Sequence, residues 1–129
     1  MKIEFSPKPI SGKELCALYA SVNDRRASDE VMLSGAWENS NVRVAAWDGD
    51  RLAGLARGLS DGHTTLYVCD LLVHPVYQGQ GLAAELMRQL CKPHEDIYQT
   101  VLITDPETIP FYKKLGFMHW ESACLKMRP

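Results

Sequence analysis

Three short apolar or β-branched runs, NVRVAAW, RLAGLARGL and TTLYVCDLLV, fill most of residues 41 to 73, parted only by DGD and SDGH. Asp-Gly between such runs is a hairpin signal, because glycine accepts the positive φ that tight reversals need. The pattern predicts three consecutive antiparallel strands, and the rest of the chain has to be arranged around that meander. Upstream, KIEF at residues 2 to 5 alternates polar and apolar positions and suggests a first strand. Ser11 to Glu14 reads S-x-x-E, a capping box for a helix that buries Leu15, Leu18, Tyr19 and Val22. A second helix is expected near Ser28, with Asp29 and Glu30 complementing its dipole and Val31, Met32 and Ala36 among its apolar positions.

Downstream of the meander the period becomes helical. Leu82, Ala83, Leu86, Met87, Leu90 and Cys91 form one stripe, which Lys92-Pro93 ends. YQTVLIT, residues 98 to 104, reads as a buried strand; Asp105-Pro106 then caps a short helix running to Leu115, where Gly116 is placed to stop it. FMHWESACLKM is expected to supply one bent strand or a final hairpin. No repeat or linker interrupts the 129 residues, so a single domain over 1–129 is expected.

Charge and cysteine usage narrow the function classes. A formal net charge of −2 argues against a nucleic-acid partner, whose binding would rest on clustered Lys and Arg. The N-terminal stretch MKIEFSPKPISGKEL lacks a signal peptide's apolar run, and no stretch approaches the roughly 20 apolar residues of a membrane span. A cytoplasmic protein without a membrane partner is therefore expected. Cys16, Cys69, Cys91 and Cys124 and the four histidines are scattered, so no metal site is expected and the cysteines read as small buried hydrophobes.

The stretch LLVHPVYQGQGLAAELM, residues 71 to 87, carries the chemistry. A glycine-rich turn opening a helix binds anions: its backbone N–H groups point outward, the helix dipole adds positive charge, and missing side chains let a phosphate approach. A plain turn that needs glycine for its backbone angles is the bland alternative. Gly79, Gly81 and Ala84 also satisfy the dinucleotide pattern G-x-G-x-x-A. In that pattern, however, the glycines leave the strand directly within a βαβ unit. Here residues 74 to 78 intervene, hairpins precede, and too little chain follows Asp105 to finish a doubly wound sheet. No Gly-Lys-Ser/Thr phosphate loop is present.

Gln78-Gly79-Gln80-Gly81-Leu82-Ala83, after Leu71-Leu72-Val73-His74-Pro75, resembles the coenzyme A signature of the GNAT superfamily of N-acyltransferases. A second stretch, Phe111-Tyr112-Lys113-Lys114-Leu115-Gly116-Phe117, resembles that family's F-Y-x-K-x-G-F signature at about the expected separation. The resemblance covers nearly the whole chain. It implies an α/β single-domain GNAT fold: a mixed, mostly antiparallel twisted sheet flanked by helices, with splayed central strands. It further implies acetyl-coenzyme A as co-substrate, with the backbones of Leu71, Leu72 and Val73 along its pantetheine arm and one N–H stabilising the oxyanion of acyl transfer. Gln78, Gly79, Gln80, Gly81, Leu82 and Ala83 would hold the pyrophosphate, Phe111 would contribute to the cofactor site, and Tyr112 would be the general acid.

The general base is not fixed by the resemblance. Some relatives carry Glu at the position of Tyr67, and a phenol of ordinary pKa near 10 is a poor base at neutral pH. Asp70, in an otherwise apolar run, reads equally as a base whose pKa burial raises and as a hydrogen-bonded structural carboxylate. The expected activity is N-acetyl transfer to a primary amine, on a small molecule or a protein, by direct attack. The alternative is a non-catalytic acyl-coenzyme A sensor. A homodimer through a strand edge or the C-terminal strands is a further expectation from the resemblance.

Overall fold

The computed structural model describes residues 2–128, and the meander is its centre. Strands β2 (Val42–Asp48), β3 (Arg51–Ser60) and β4 (Thr65–Val73) pair antiparallel in sequence order. A short β1 (Ile3–Phe5) adds antiparallel to β2, and β5 (Gln99–Leu102) adds parallel to β4, giving a five-stranded mixed sheet in the order β1-β2-β3-β4-β5. The parallel β4–β5 ladder spans only Thr65 to Val68. Beyond Val68, β4 runs on to Val73 paired with β3 but no longer with β5, which is the expected splay of the central strands.

Helices cover both faces because each presents an apolar stripe to the sheet. Helix α1 (Gly12–Ser21) begins with the expected capping box: the Glu14 amide donates to Ser11 Oγ at 3.1 Å and the Ser11 amide donates to Glu14 Oε1 at 3.0 Å. Replacing Ser11 by Ala is expected to cost about 1 kcal/mol of stability, read by chemical denaturation. Helix α2 (Glu30–Asn39) is capped by Asp29, which accepts from the Met32 amide at 3.0 Å. Leu15, Leu18, Tyr19, Leu33 and Trp37 from these helices pack with Ala45, Trp47, Leu52 and Leu55 of the sheet. On the other face Leu82, Leu86, Met87 and Leu90 of α3 (Leu82–Cys91) pack on Ala46, Ala53, Ala56, Leu66 and Val68.

Three expectations are corrected. Val31 is 86% exposed, because α2 turns Leu33 and Trp37, four residues apart, to the sheet and leaves Val31 on the outer side. FMHWESACLKM forms neither strand nor hairpin. After the short α4 (Ile109–Lys114) the Phe117 amide bonds back to the Tyr112 carbonyl at 3.1 Å, and from Met118 onward the described chain is exposed and joins no sheet. A period-2 pattern makes a strand only where an edge meets it, and a groove parts this segment from β5. β5 is consequently half-exposed, not the buried strand expected.

Candidate active site

The site begins at a register fault. Arg57 opposes Asp70 and Gly58 opposes Val68, so Cys69 has no partner on β3 and forms a β-bulge. One extra residue exchanges the faces of everything that follows. Before the bulge Leu66 and Val68 face α3; after it Leu71 packs on that side, while Leu72 and Asp70 turn toward α1. The bulge coincides with the last β4–β5 pair, Val68 with Leu102. The strands then part around a cleft of about 290 Å³ lined by Val68 to Leu72, Leu102 to Asp105 and Tyr112. Backbone groups of β4 that face this cleft are free to pair with an extended ligand.

At the end of β4 the chain is tied down before it reaches the glycines. The His74 amide donates to the Ala53 carbonyl at 2.8 Å, buried Tyr77 donates its hydroxyl to Asp48 at 2.6 Å, and Gln78 Nε2 donates to the Val73 carbonyl at 2.9 Å. Gln78 therefore pins the loop to its strand. His74 is also structural: its Nδ1 accepts from the Val76 amide, and burial together with Arg51 lowers its pKa.

Gly79 and Gly81 take φ of +79° and +81°, and a Cβ at either would meet nothing within 4 Å, so both open onto free space. Gly81 is the N-cap of α3 and brings no side chain to it. The first helical bond runs from the Glu85 amide to the Gly81 carbonyl at 3.1 Å, which leaves the amides of Leu82, Ala83 and Ala84 without intrahelical acceptors. Exposed donors, a helix dipole and unobstructed space fit a diphosphate.

Tyr112 enters the cleft from α4, its ring edge-on to Phe111 at 4.9 Å and to Phe117 at 5.8 Å. Burial raises the pKa of its hydroxyl, with Thr104 opposing, so the phenol stays protonated at neutral pH. Phe111 packs against the core on the α3 side and does not line the cleft. Leu71 and Leu72 do line it, whereas Val73 lies beyond and lends its carbonyl to Gln78.

Asp70 has a different setting from that of a base. Its carboxylate accepts from Tyr19 Oη at 2.9 Å, Arg57 Nε at 2.7 Å, Arg26 Nη2 at 2.8 Å and Arg26 Nη1 at 3.2 Å. A carboxylate oxygen has two lone pairs; three of these bonds crowd onto Oδ2 and one falls on Oδ1. Arg26 also grips Asp24 through two bonds of 2.9 and 2.7 Å, which holds the Asp24 pKa below its ordinary value. For Arg57 burial opposes the charge, but Asp70 more than offsets it and the pKa rises. Of the two readings left open for Asp70, the geometry supports the hydrogen-bonded structural carboxylate. The sequence reading missed Arg26, Arg57 and Tyr19. One signal was available: Arg57 is a charge inside the apolar run RLAGLARGL, on the strand next to the one bearing Asp70.

The profile of the Acetyltransferase (GNAT) family matches residues 13–117. This chain belongs to that family. It is 36% identical over 130 residues to "Uncharacterized N-acetyltransferase ycf52" of Pyropia yezoensis, covering 91% of this chain and 74% of that one. The protein of the same name from Gracilaria tenuistipitata var. liui is 44% identical over 69 residues, 52% of this chain and 38% of its own. The chain spans less than half the length of several such curated relatives. Among solved structures, the GNAT family acetyltransferase SP0256 of Streptococcus pneumoniae superposes with a TM-score of 0.77 at 30% identity, covering 98% of this chain and 95% of that one. The GNAT fold of the described residues thus agrees with sequence and structural relatives alike. No helix among them is long and apolar enough to cross a membrane.

Proposed function

We propose that this protein transfers an acetyl group from acetyl-coenzyme A to a primary amine by direct attack, in the cytoplasm. The reading is carried by one conjunction: the uncapped start of α3 after Gly79 and Gly81 lies at the end of the same strand whose bulge opens the Tyr112-lined cleft. The α3 amides and the open glycines would hold the diphosphate, and the free backbone groups of β4 beyond the bulge would pair with the pantetheine arm. Tyr112, protonated and half-buried, would donate its proton to the departing thiolate. The acceptor is a small-molecule or protein amine.

The engagement of Asp70 by Tyr19, Arg57 and Arg26 favours a second reading, an acyl-coenzyme A-binding domain without turnover. Calorimetric titration with acetyl-coenzyme A and with NAD, followed by thiol release over a panel of amines, separates them. Acetyl transfer requires binding of acetyl-coenzyme A and amine-dependent thiol release; binding without release from any amine leaves the sensor, and binding of NAD alone refutes both. Gly81→Val places a β-branched residue at φ +81° and is expected to weaken acetyl-coenzyme A binding at least ~10-fold, or about 1.4 kcal/mol. Affinity equal to the parent's would move the diphosphate site elsewhere.

A further inference from the structure

We infer that the hydroxyls of Thr104 and Thr108 form a hydrogen-bond chain that positions the Tyr112 proton and then steadies the phenolate left when that proton is given up. This deepens the acetyl-transfer reading and rests on it.

The chain follows from which oxygens meet. Thr108 and Tyr112 stand four residues apart, so they share one face of α4 a turn apart. Thr104, two residues past the end of β5, lies across from both: its hydroxyl is hydrogen-bonded to that of Thr108 and faces the phenol of Tyr112. Thr104 and Tyr112 also line the splayed cleft together.

The direction of each bond is fixed by counting protons. Thr108 is the N-cap of α4, where a threonine ordinarily accepts an amide of the first turn; this one makes no such bond. Its Oγ1 instead donates back to the Asp105 carbonyl at 2.8 Å. A threonine hydroxyl has one proton and two lone pairs. With the Thr108 proton on Asp105, the contact between the two threonines has Thr104 donating and Thr108 accepting. Thr104 is left with lone pairs for the Tyr112 O–H, and the resting order is Tyr112 to Thr104 to Thr108 to the Asp105 carbonyl.

The same chain can run in reverse. When the Tyr112 O–H bond breaks and its proton forms the S–H bond of the departing thiol, the phenolate oxygen is half-buried and needs a donor. Rotation of the Thr104 hydroxyl aims its proton at that oxygen, and rotation of the Thr108 hydroxyl supplies Thr104 in turn. A donor to the ionised form makes the phenol a stronger acid, which is the direction in which Thr104 opposes burial. The Asp105 carbonyl loses a hydroxyl but keeps the Thr108 amide at 3.0 Å, so the reversal leaves no acceptor bare. Thr108 is exposed, so the far end of the chain meets water, and a proton taken up from solvent at Tyr112 restores the first order.

The test is a double-mutant cycle on amine-dependent thiol release. Thr104→Val removes the hydroxyl and keeps the branched shape. It is expected to lower kcat about 10-fold, the low end for a lost hydrogen bond to a charged oxygen, with KM for acetyl-coenzyme A unchanged. Thr104→Ser keeps the hydroxyl and is expected to restore most of the rate; Thr108→Ala, which removes only the far end, is expected to lose less than Thr104→Val. In a Tyr112→Phe background Thr104→Val is expected to cost nothing more, because no phenolate remains, whereas a merely structural role would carry its loss into that background. Parent-like turnover of Thr104→Val beside a slowed Tyr112→Phe overturns the chain and leaves the acid in place. Equal losses in both backgrounds overturn it too, as does a Thr104→Ser as slow as Thr104→Val. Unchanged turnover in Tyr112→Phe, or a parent that releases no thiol with any amine, removes the acid itself and the chain with it.

Discussion

Replacing Tyr112 by Phe is expected to lower turnover about 100-fold, the lower end of what a positioned general acid contributes, while acetyl-coenzyme A affinity stays nearly intact. Only the hydroxyl is lost. The ring keeps its edge-on contacts with Phe111 and Phe117, so α4 has no reason to move. The active form of the group is the phenol. Burial raises its pKa above the ordinary value near 10, so the alkaline limb that Tyr112 imposes on kcat lies above that value and should vanish in the variant. Steady-state rates across pH check both points. Equal turnover for parent and variant at every pH would remove Tyr112 from the chemistry.

What was legible in the sequence was what neighbours along the chain decide. The Asp-Gly turns fix the meander, Ser11 and Glu14 fix the start of α1, and Gly79 and Gly81 mark the uncapped end of α3, each within a few residues. The side on which Asp70 lies could not be read in that way. It depends on Cys69 having no partner on β3, a register choice made between strands. Parity along TTLYVCDLLV would put Leu66, Val68, Asp70 and Leu72 on one face, and the bulge sends the last two to the other. The ring around Asp70 joins residues 19, 26, 57 and 70, whose only common feature is the place where their elements meet. The last eleven described residues show the converse limit: a strand-like pattern gives the need for an edge but not its location.

Asp70→Asn is expected to destabilise the fold by about 3–5 kcal/mol, the range for removing one partner from a buried ion pair. Asp70 is 7% exposed in its side chain and Arg57 13%, so neither charge can turn to water when the other is lost. The amide is neutral and offers only its oxygen as an acceptor, where the carboxylate took four donors. Most of the loss should come through Arg57 and Tyr19. The Arg26 side chain is 36% exposed, so its share is screened by solvent and smaller. Asp24 supports the same ring. Its folded pKa is depressed, so its contribution is present above the unfolded value near 3.9 and is lost as pH falls through the lower folded value. The ring is therefore intact at neutral pH, where denaturant unfolding of parent and variant should be compared. A positioning role predicts a large loss of stability, with turnover in the folded fraction reduced only as far as β4 shifts. A base would show the reverse, a fold as stable as the parent's and a rate that collapses. The tie from Arg26 to both Asp24 and Asp70 adds a geometric consequence. It fastens the segment between α1 and α2 to the strand that walls the cleft, so in the variant that segment should lose protection from amide hydrogen exchange before β3 does.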